Sequence, residues 1–389
     1  MNSKPMLVIG LMSGTSADGI DVALARISGA PPRLNVKLIG HTKIGFPRET
    51  RKEILHIAEQ RPITAGRLSQ LDFSLGALYA DAALRACQRF RVSPRKIDLI
   101  GSHGQTVFHE SWANTRCAST LQIGEGAVIA ACSGITTVSD FRPPDIALRG
   151  QGAPLVPYAD YLLYRHPRIS RASLNLGGIA NITVLPAASK PSQVLGFDTG
   201  PANILIDGLV RSFSKGQKQF DRDARLALKG RTIRPLLQEL LRDPYLRLAP
   251  PKSTGREYYG EGYIRRIISL GRRYHAKPND LIRVATLFTA LSVVDAINRI
   301  VLPRTKIQQL IVSGGGAYNP LVLAQIAALL PEIEVVPSSK LGIPEDAKEA
   351  LAFAMFAYET FHRRPANLPS ATGARGPAIL GKISYAPPR

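Results

Sequence analysis

Cysteine is scarce in this chain, and its placement excludes two kinds of stabilised small domain. The 389 residues include only 3 cysteines, Cys87, Cys117 and Cys132, at unrelated spacings. An odd number without a C-x-x-C pair indicates neither a disulfide framework nor a zinc site. We therefore expect three buried or idle thiols in a reducing cytoplasm.

Long apolar runs are also missing. No uninterrupted apolar stretch reaches the ~18 residues that a membrane helix requires. The apolar residues 6–12 run directly into the polar residues 13–16, whereas a signal peptide carries a longer apolar region and a small-residue cleavage site. We expect a cytoplasmic protein with neither a membrane segment nor a signal peptide.

Acidic and aromatic residues are few compared with basic ones. Fifty Lys and Arg against 29 Asp and Glu leave a net charge of +21, and aromatic residues make up 6%. Such an excess can mark nucleic-acid binding, but the basic residues are scattered and no nucleic-acid-binding motif accompanies them. We expect a basic surface that attracts anionic substrates and no nucleic-acid partner. A salt-dependent shift assay would reveal the alternative.

Strand and helix patterns alternate along the sequence. Residues 7–27 predict two strands joined by a polar glycine turn, and residues 173–185 repeat that pattern. Strands alternating with helices indicate an α/β chain, and the length suggests two domains. From residue 365 the sequence predicts a loose tail with a short strand near residues 379–380. The other predicted elements are helices at 69–90, 281–300 and 321–330 and buried strands at 97–101 and 309–312.

The first glycine turn, GTSADG at residues 14–19, is a candidate phosphate loop. Glycines allow close approach to a ligand, and hydroxyls and backbone amides can donate to phosphate oxygens. A carboxylate at Asp18 fits a water-mediated Mg²⁺ contact. An ordinary hairpin turn is the alternative. The candidate residues are Gly14, Thr15, Ser16, Ala17, Asp18 and Gly19.

Two further glycine motifs are candidates for nucleotide binding. Gly177 and Gly178 form the second hairpin turn, which could grip a triphosphate together with the first. The sequence GGGAYN at residues 314–319 stands between a strand and a helix, where a base or ribose could lie close to the backbone. Tight packing of helix on strand is the alternative. The residues of this motif are Gly314, Gly315, Gly316 and Asn319, the last as a polar contact or helix cap.

Asp198 is the candidate general base. It follows the predicted strand 194–197, and the carboxyl ends of strands are where open α/β sheets bind ligands. In a kinase such an acid deprotonates the attacking oxygen. A helix cap is the alternative.

Polar residues elsewhere are candidates for sugar binding. His103 and Gln105 follow a buried strand and could bond sugar hydroxyls, or be satisfied internally. Arg142 could bind a substrate carboxylate or make a structural ion pair. Glu349 begins an apolar helix, where it could contact the ligand or remain exposed. The polar residues 251–257 could form a mobile contact near phosphate or sugar.

Together these motifs resemble the anhydro-N-acetylmuramic acid kinase family of the actin-like superfamily of sugar kinases and chaperone ATPases. The matches follow the family's order over nearly the whole chain. They are GLMSGTS at 10–16, GSHGQT at 101–106, DFR at 140–142, GQGAPLVP at 150–157, GFD at 196–198, FDRD at 220–223, PKSTGR at 251–256 and Gly373.

The resemblance implies a two-domain actin-like (ribonuclease H-like) ATPase fold with an interdomain cleft. Domain I, with the sugar, would comprise residues 1–168 and 362–389, and domain II, with ATP, residues 169–361. It also implies a homodimer. Ala17 departs from the family, which usually has Leu there, but a side chain pointing away from the phosphates could vary.

The implied substrate is 1,6-anhydro-N-acetylmuramic acid, released from peptidoglycan by lytic transglycosylases. Water would open the anhydro bridge while ATP and Mg²⁺ phosphorylate O6, giving N-acetylmuramic acid 6-phosphate and ADP. Asp198 would activate the water, and Arg142 and Glu349 would lie near the sugar. The alternatives are a kinase for another sugar and a chaperone- or filament-like ATPase, which would need a further binding domain.

Overall fold

A computed structural model describes residues 4–14, 17–110 and 117–388. Its strands and helices follow the predicted alternation, and the predicted helix at 69–90 begins earlier because Thr64 accepts a hydrogen bond from the Arg67 amide. The strands are β1 (Met6–Ser13), β2 (Gly19–Ala30), β3 (Arg33–Gly45), β4 (Leu99–Glu110), β5 (Ser119–Ile123), β6 (Thr137–Ser139), β7 (Arg171–Leu176), β8 (Ile179–Leu185), β9 (Leu195–Pro201), β10 (Gln309–Ser313), β11 (Glu334–Pro337) and β12 (Lys382–Ser384).

Helices connect the strands. Those of the first half are α1 (Arg48–Ala58), α2 (Ala65–Arg89), α3 (Gly126–Ser133), α4 (Pro143–Ala147), α5 (Val156–Tyr164) and α6 (Asn203–Phe213). Those of the second half are α7 (Arg225–Lys229), α8 (Arg234–Leu240), α9 (Pro244–Arg247), α10 (Arg256–Tyr259), α11 (Glu261–Arg273), α12 (Pro278–Ala296), α13 (Pro320–Leu329), α14 (Lys348–Phe361) and α15 (Pro369–Thr372).

The chain divides into two units with the same sheet plan. Unit 1 comprises Met1–Leu163 and Asp346–Arg389, and unit 2 comprises Tyr164–Glu345. The sheet of unit 1 has the order β12-β6-β4-β1-β2-β3, with β5 beside β4, and that of unit 2 has the order β11-β10-β7-β8-β9. In each, the first three strands are antiparallel. The fourth lies parallel to the first and to one further strand, which is β6 in unit 1 and β11 in unit 2. This repeated plan confirms the α/β actin-like fold.

The boundaries between the two units differ from the predicted domain boundaries. The first lies at residues 163/164 instead of 168/169, and the second at 345/346 instead of 361/362. Helix α14 therefore belongs to unit 1. Its backbone lies directly on the sheet: a Cβ at Gly10 would be 1.8 Å from the Ala350 carbonyl oxygen, and one at Gly101 would be 2.2 Å from that of Phe353. Two glycines on adjacent strands thus permit this close packing.

The predicted loose C-terminal tail is wrong. Asp145 is fully buried, and its Oδ1 accepts hydrogen bonds from Asn367 Nδ2 and Thr372 Oγ1, both at 2.7 Å. Its Oδ2 accepts one from the Gly152 amide at 2.9 Å. The last strand, β12, begins at Lys382 and so lies beyond the predicted position near residues 379–380. It pairs with β6. A buried carboxylate therefore attaches the end of the chain to unit 1.

Helix α12 forms the centre of unit 2. With the following π-helical turn it extends over Pro278–Val301 and is long and apolar enough to span a membrane, but 78% of its most apolar window is buried inside the protein. Its apolar composition is thus accounted for by packing in a core.

The cysteines differ in exposure. Cys87 is buried, whereas Cys117 and Cys132 are exposed.

Candidate active site

Asp198 lies within a strand and not before a helix. Strand β9 continues past it to Pro201, and Asp198 pairs with Asn181 of β8. Helix α6 begins at Asn203, so Asp198 does not cap it. The predicted strand end at residue 197 and the helix-cap alternative are both wrong, because the sheet extends four residues further along the chain than its last large apolar residue.

The carboxylate of Asp198 is held through one of its oxygens. Asp198 is 7% exposed, and its Oδ2 accepts hydrogen bonds from the Ser253 hydroxyl at 3.0 Å and the Thr254 amide at 2.9 Å. The Asp198 amide in turn donates to the Lys252 carbonyl oxygen at 3.2 Å. No described residue donates to Oδ1. Sequence reasoning singled out residues 251–257 as a mobile ligand contact but missed this link to Asp198.

The surroundings of Asp198 favour its protonated form. Burial raises its pKa to about 6, while the bonds from Thr254 and Ser253 oppose that rise and Glu257 adds to it. A carboxylate with a pKa near the working pH can both hold and release a proton, as a general base must.

A buried lysine and a tyrosine complete this region. Burial, and repulsion from Arg299, lower the pKa of Lys252 to about 8. Its ammonium lies 4.7 Å from the centre of the Tyr245 ring and 5.8 Å from that of Phe197. The Tyr245 hydroxyl donates to the Asp198 carbonyl oxygen at 3.0 Å. Lys252 thus places a cation close to the strand that carries the acid.

The second glycine turn accepts hydrogen bonds from the amides at the N-terminus of α6. The Gly177 carbonyl accepts from the Asn203 amide at 3.0 Å, and the Gly178 carbonyl accepts from the amides of Ala202 and Ile204 at 2.9 and 3.1 Å. These amides have no partner inside the helix, so the turn satisfies them. Gly177 and Gly178 therefore lie beside β9, with their carbonyl groups engaged by the helix.

Close packing explains two of the three glycines at 314–316. A Cβ at Gly314 would be 2.6 Å from Asn175 Oδ1, and one at Gly316 would be 2.6 Å from the Leu176 Cβ. Gly315 has more room, with only the Asn203 side-chain nitrogen at 3.7 Å. This is the tight packing that the sequence left as an alternative.

Asn319 is a helix cap in this structure. Its Oδ1 accepts from the amides of Leu321 and Val322 at 3.1 and 3.2 Å, at the start of α13. The capping role that the sequence analysis allowed is therefore present.

In unit 1, the first candidate loop lies between β1 and β2. Thr15 and Ser16 lie outside the described residues. Ala17 is fully buried in the core, which fits a side chain directed away from a ligand, and its φ of 50° lies in the left-handed region. Gly19 is needed for strand pairing, because a Cβ there would be 2.4 Å from the Ile44 carbonyl oxygen.

Polar contacts hold both ends of this loop. The Ser13 hydroxyl donates to Gln105 Oε1 at 2.6 Å, and Gln105 Nε2 donates to the Gly14 carbonyl oxygen at 3.4 Å. Asp18 forms an ion pair with Arg51 at 2.8 Å, a counter-ion that sequence proximity did not reveal. Gln105, predicted to contact sugar, is engaged with the loop.

His103 and Arg142 contact each other. Nε and Nη2 of Arg142 lie 3.2 and 3.0 Å from His103 Nε2, and Arg142 Nη1 donates to the Gly152 carbonyl oxygen at 2.9 Å. The other ring nitrogen of His103 lies 2.9 Å from the Gly104 carbonyl oxygen. Burial and the Arg142 charge lower the pKa of His103 well below 6.5. A neutral ring with its proton on Nδ1 accounts for all these contacts.

Glu349 lies half-buried in the first turn of α14. Its neighbour Lys348 is buried and pairs with the buried Asp160 at 3.0 Å, which holds the start of this helix. Within residues 4–14, 17–110 and 117–388, no three His, Cys, Asp or Glu side chains come together as a metal site.

Comparison with known proteins identifies the family of this chain. The model of the family "Anhydro-N-acetylmuramic acid kinase" matches residues 6–386. Proteins of that name from Caldanaerobacter subterraneus subsp. tengcongensis and Bacillus thuringiensis subsp. konkukian are 41% and 40% identical, each alignment covering 98% of this chain and 98% and 100% of the relative.

A solved structure, the activator of the 2-hydroxyisocaproyl-CoA dehydratase from Clostridium difficile, is similar at a TM-score of 0.44 with 11% identity, over 92% of this chain and 96% of that one. A likeness that distant carries no inference about activity. The repeated sheet plan defines an α/β fold of the actin-like type, with the buried carboxylate of Asp198 on β9. The chain belongs to the anhydro-N-acetylmuramic acid kinase family and is an enzyme, a kinase.

Proposed function

We propose that this kinase converts 1,6-anhydro-N-acetylmuramic acid, water and ATP into N-acetylmuramic acid 6-phosphate and ADP, in the cytoplasm, during peptidoglycan recycling. The names of its relatives support the substrate. The observation that carries the chemistry is Asp198: a buried carboxylate whose pKa is raised to about 6 and whose Oδ1 accepts no hydrogen bond from a described residue.

The proposed reaction needs one base. Asp198 Oδ1 takes a proton from water as the water oxygen bonds to C1 of the sugar. The C1–O6 bond breaks, and its electrons remain on O6. O6 then bonds to the γ-phosphorus of ATP, the bond to the β–γ bridging oxygen breaks, and ADP leaves. The proton on Asp198 returns to solvent, so one base serves both bond changes.

We assign nucleotide binding to the glycine turns. Residues 14–19 would contact phosphate, and Gly177, Gly178 and the 314–319 segment would contact the nucleotide. Gly14 and Gly315 have the open space that a close ligand needs, since a Cβ at Gly14 would meet nothing within 4 Å. Gly314 and Gly316 would act indirectly, by keeping that segment close to β7.

Asp18 fits a Mg²⁺ that arrives with ATP. Its side chain is 44% exposed, and Mg²⁺ in phosphate sites commonly takes one or two carboxylates and keeps several waters. Bound there, Mg²⁺ would neutralise charge on the phosphates. Arg51, paired with Asp18, would add a second positive charge beside them.

We assign sugar binding to His103, Arg142 and Glu349. A guanidinium fixed by His103 and the Gly152 carbonyl is ordered before substrate arrives and can pair with the lactyl carboxylate of the sugar. Gln105 would contribute by fixing Gly14, because its carboxamide bonds that residue and Ser13.

The proposal is tested by isotope labelling. The protein is incubated with ATP, Mg²⁺ and the anhydro sugar in oxygen-labelled water, and the product is examined by mass spectrometry. We expect one labelled oxygen, at C1, and an unlabelled O6. Plain N-acetylmuramic acid, assayed alongside, should not be a comparable substrate. A phosphorylated product without label at C1 would contradict ring opening by water, and turnover of plain sugars alone would indicate a kinase for another sugar.

A further inference from the structure

The two oxygens of Asp198 have different surroundings. Both hydrogen bonds to the carboxylate reach Oδ2, from the Ser253 hydroxyl at 3.0 Å and the Thr254 amide at 2.9 Å. Oδ1 accepts none from a described residue. A carboxylate rotates about its Cβ–Cγ bond, so without these donors the two oxygens would be interchangeable. The donors therefore distinguish one oxygen from the other.

The segment that supplies the donors is attached to the strand that carries the acid. The Asp198 amide donates to the Lys252 carbonyl oxygen, so one backbone bond and two carboxylate bonds join the same pair of segments. Lys252 is itself buried at 7% exposure, with its ammonium against the Tyr245 ring. A segment anchored at its first residue holds the next two at a fixed distance from Asp198.

Two explanations fit these contacts. A buried carboxylate needs hydrogen-bond partners wherever it lies, so the bonds could serve stability alone. If so, donors should be spread over both oxygens, which together have about four acceptor positions. Their concentration on Oδ2 leaves the whole acceptor capacity of Oδ1 for another molecule.

We propose that Ser253 and the Thr254 amide are positioning groups for Asp198, which fix Oδ2 and make Oδ1 the oxygen that takes the proton. This inference rests on the proposed function, because it assumes that Asp198 is the base. The bonds also favour the ionised carboxylate, the form that can accept a proton.

The test compares Ser253→Ala with Ser253→Thr, which keeps a hydroxyl, and with Ser212→Ala, an exposed serine of α6 outside the site. For Ser253→Ala at neutral pH we expect kcat to fall roughly ten-fold or more, from the loss of one bond to a charged group, with both KM values nearly unchanged. The acidic limb of the kcat profile should move to higher pH by about one pH unit.

Ser253→Thr should restore most of kcat and return the limb to its original position, and Ser212→Ala should match the unmodified enzyme throughout. A purely structural role would lower the melting temperature of Ser253→Ala but leave the limb in place, and that result would overturn the proposal. If Ser253→Ala does not fold, Ser253→Cys, with a similar volume and a weaker donor, takes its place, with the same two outcomes.

Asp198→Asn, assayed in parallel, separates the two levels of the argument. If Asp198→Asn keeps near-normal activity, the proposed function has lost its base and this inference falls with it. If Asp198→Asn is inactive while Ser253→Ala keeps the original kcat and pH profile, only the positioning role is overturned.

Discussion

Burial raises the pKa of Asp198, which suits its proposed role as a base but costs stability. An unfolded aspartate with the reference pKa of 3.8 ionises more readily than Asp198, whose pKa is raised to about 6. The protonated form is therefore favoured by folding. The stabilisation that the protonated carboxyl gives the fold is complete below the unfolded pKa and is lost as pH rises through about 6. At neutral pH the ionised carboxylate therefore destabilises the fold by up to about 3 kcal/mol.

Replacing Asp198 with Asn tests both consequences. Asn keeps the size and can still accept the bonds from Ser253 and Thr254, but it cannot take a proton. We expect kcat to fall by ~10²–10⁴-fold, while the sugar and ATP still bind. Steady-state kinetics and calorimetric binding measure the two effects.

The same variant should also be more stable at neutral pH. Thermal melts at about pH 7.5 should give a higher melting temperature for Asp198→Asn than for the unmodified protein, and the difference should shrink towards about pH 4. Activity within a few-fold of the unmodified enzyme would remove Asp198 from the mechanism. An equal melting difference at both pH values would contradict its raised pKa.

At the scale of elements, contacts between helix and sheet backbones position the candidate residues of unit 1. Helix α14, which carries Glu349, lies on β1 and β4 through Gly10 and Gly101. The same β4 continues to His103, whose ring lies 4.6 Å from that of Phe353 on α14. The glycines thus set the distance between the elements that carry two of the proposed sugar ligands.

Gly10→Ala should disturb this packing. Its Cβ would be 1.8 Å from a backbone oxygen of α14, so the helix would have to move, and we expect a loss of several kcal/mol in the free energy of unfolding (on the order of 3). The matched control is Gly262→Ala in α11, where a Cβ meets nothing within 4 Å and where alanine should stabilise the helix by about 0.5–1 kcal/mol. Denaturant unfolding measures both, and equal effects would contradict the close packing.

At the scale of the whole molecule, unit 1 is assembled from two distant segments of the chain, whereas unit 2 is one continuous segment. Unit 1 contains residues from both ends, and unit 2 is inserted between them. Asp145 is the residue that binds the returning C-terminal segment, through Asn367 and Thr372, 222 and 227 residues away. Two of the three hydrogen bonds to this buried carboxylate come from that segment, which makes the attachment specific.

Asp145→Ala should release that segment. The change leaves the Gly152 amide, Asn367 and Thr372 without their acceptor, which we expect to cost about 3–5 kcal/mol. Limited proteolysis should cut near residues 365–376 earlier than in the unmodified protein. Asp81→Ala removes an exposed carboxylate of the same unit, paired only with Arg85 on its own helix, and should change stability by less than about 0.5 kcal/mol. Unchanged cleavage in Asp145→Ala would show that other contacts hold the tail.

Local patterns in the sequence were enough to predict the fold class and to single out candidate residues. Alternating strands and helices predicted an α/β chain, because hydrophobic period and turn residues act over a few neighbouring positions. The actin-like fold and the family were implied by the resemblance of an ordered set of motifs to that family. Asp198 was found in the same way, as an acid beside a strand. The relation between the two units, with the predicted cleft, stays a prediction.

Only the tertiary structure decided how these parts are held. Ser253 donates a hydrogen bond to Asp198 from 55 residues further along the chain, and α14 belongs to unit 1. Asp145 binds a C-terminal segment that the sequence predicted to be loosely structured. Proximity of this kind has no period and no spacing rule, since it depends on which segments the folded sheets and helices bring together. The sequence therefore singled out Asp198 as a candidate, whereas the environment that distinguishes its two oxygens arises from packing.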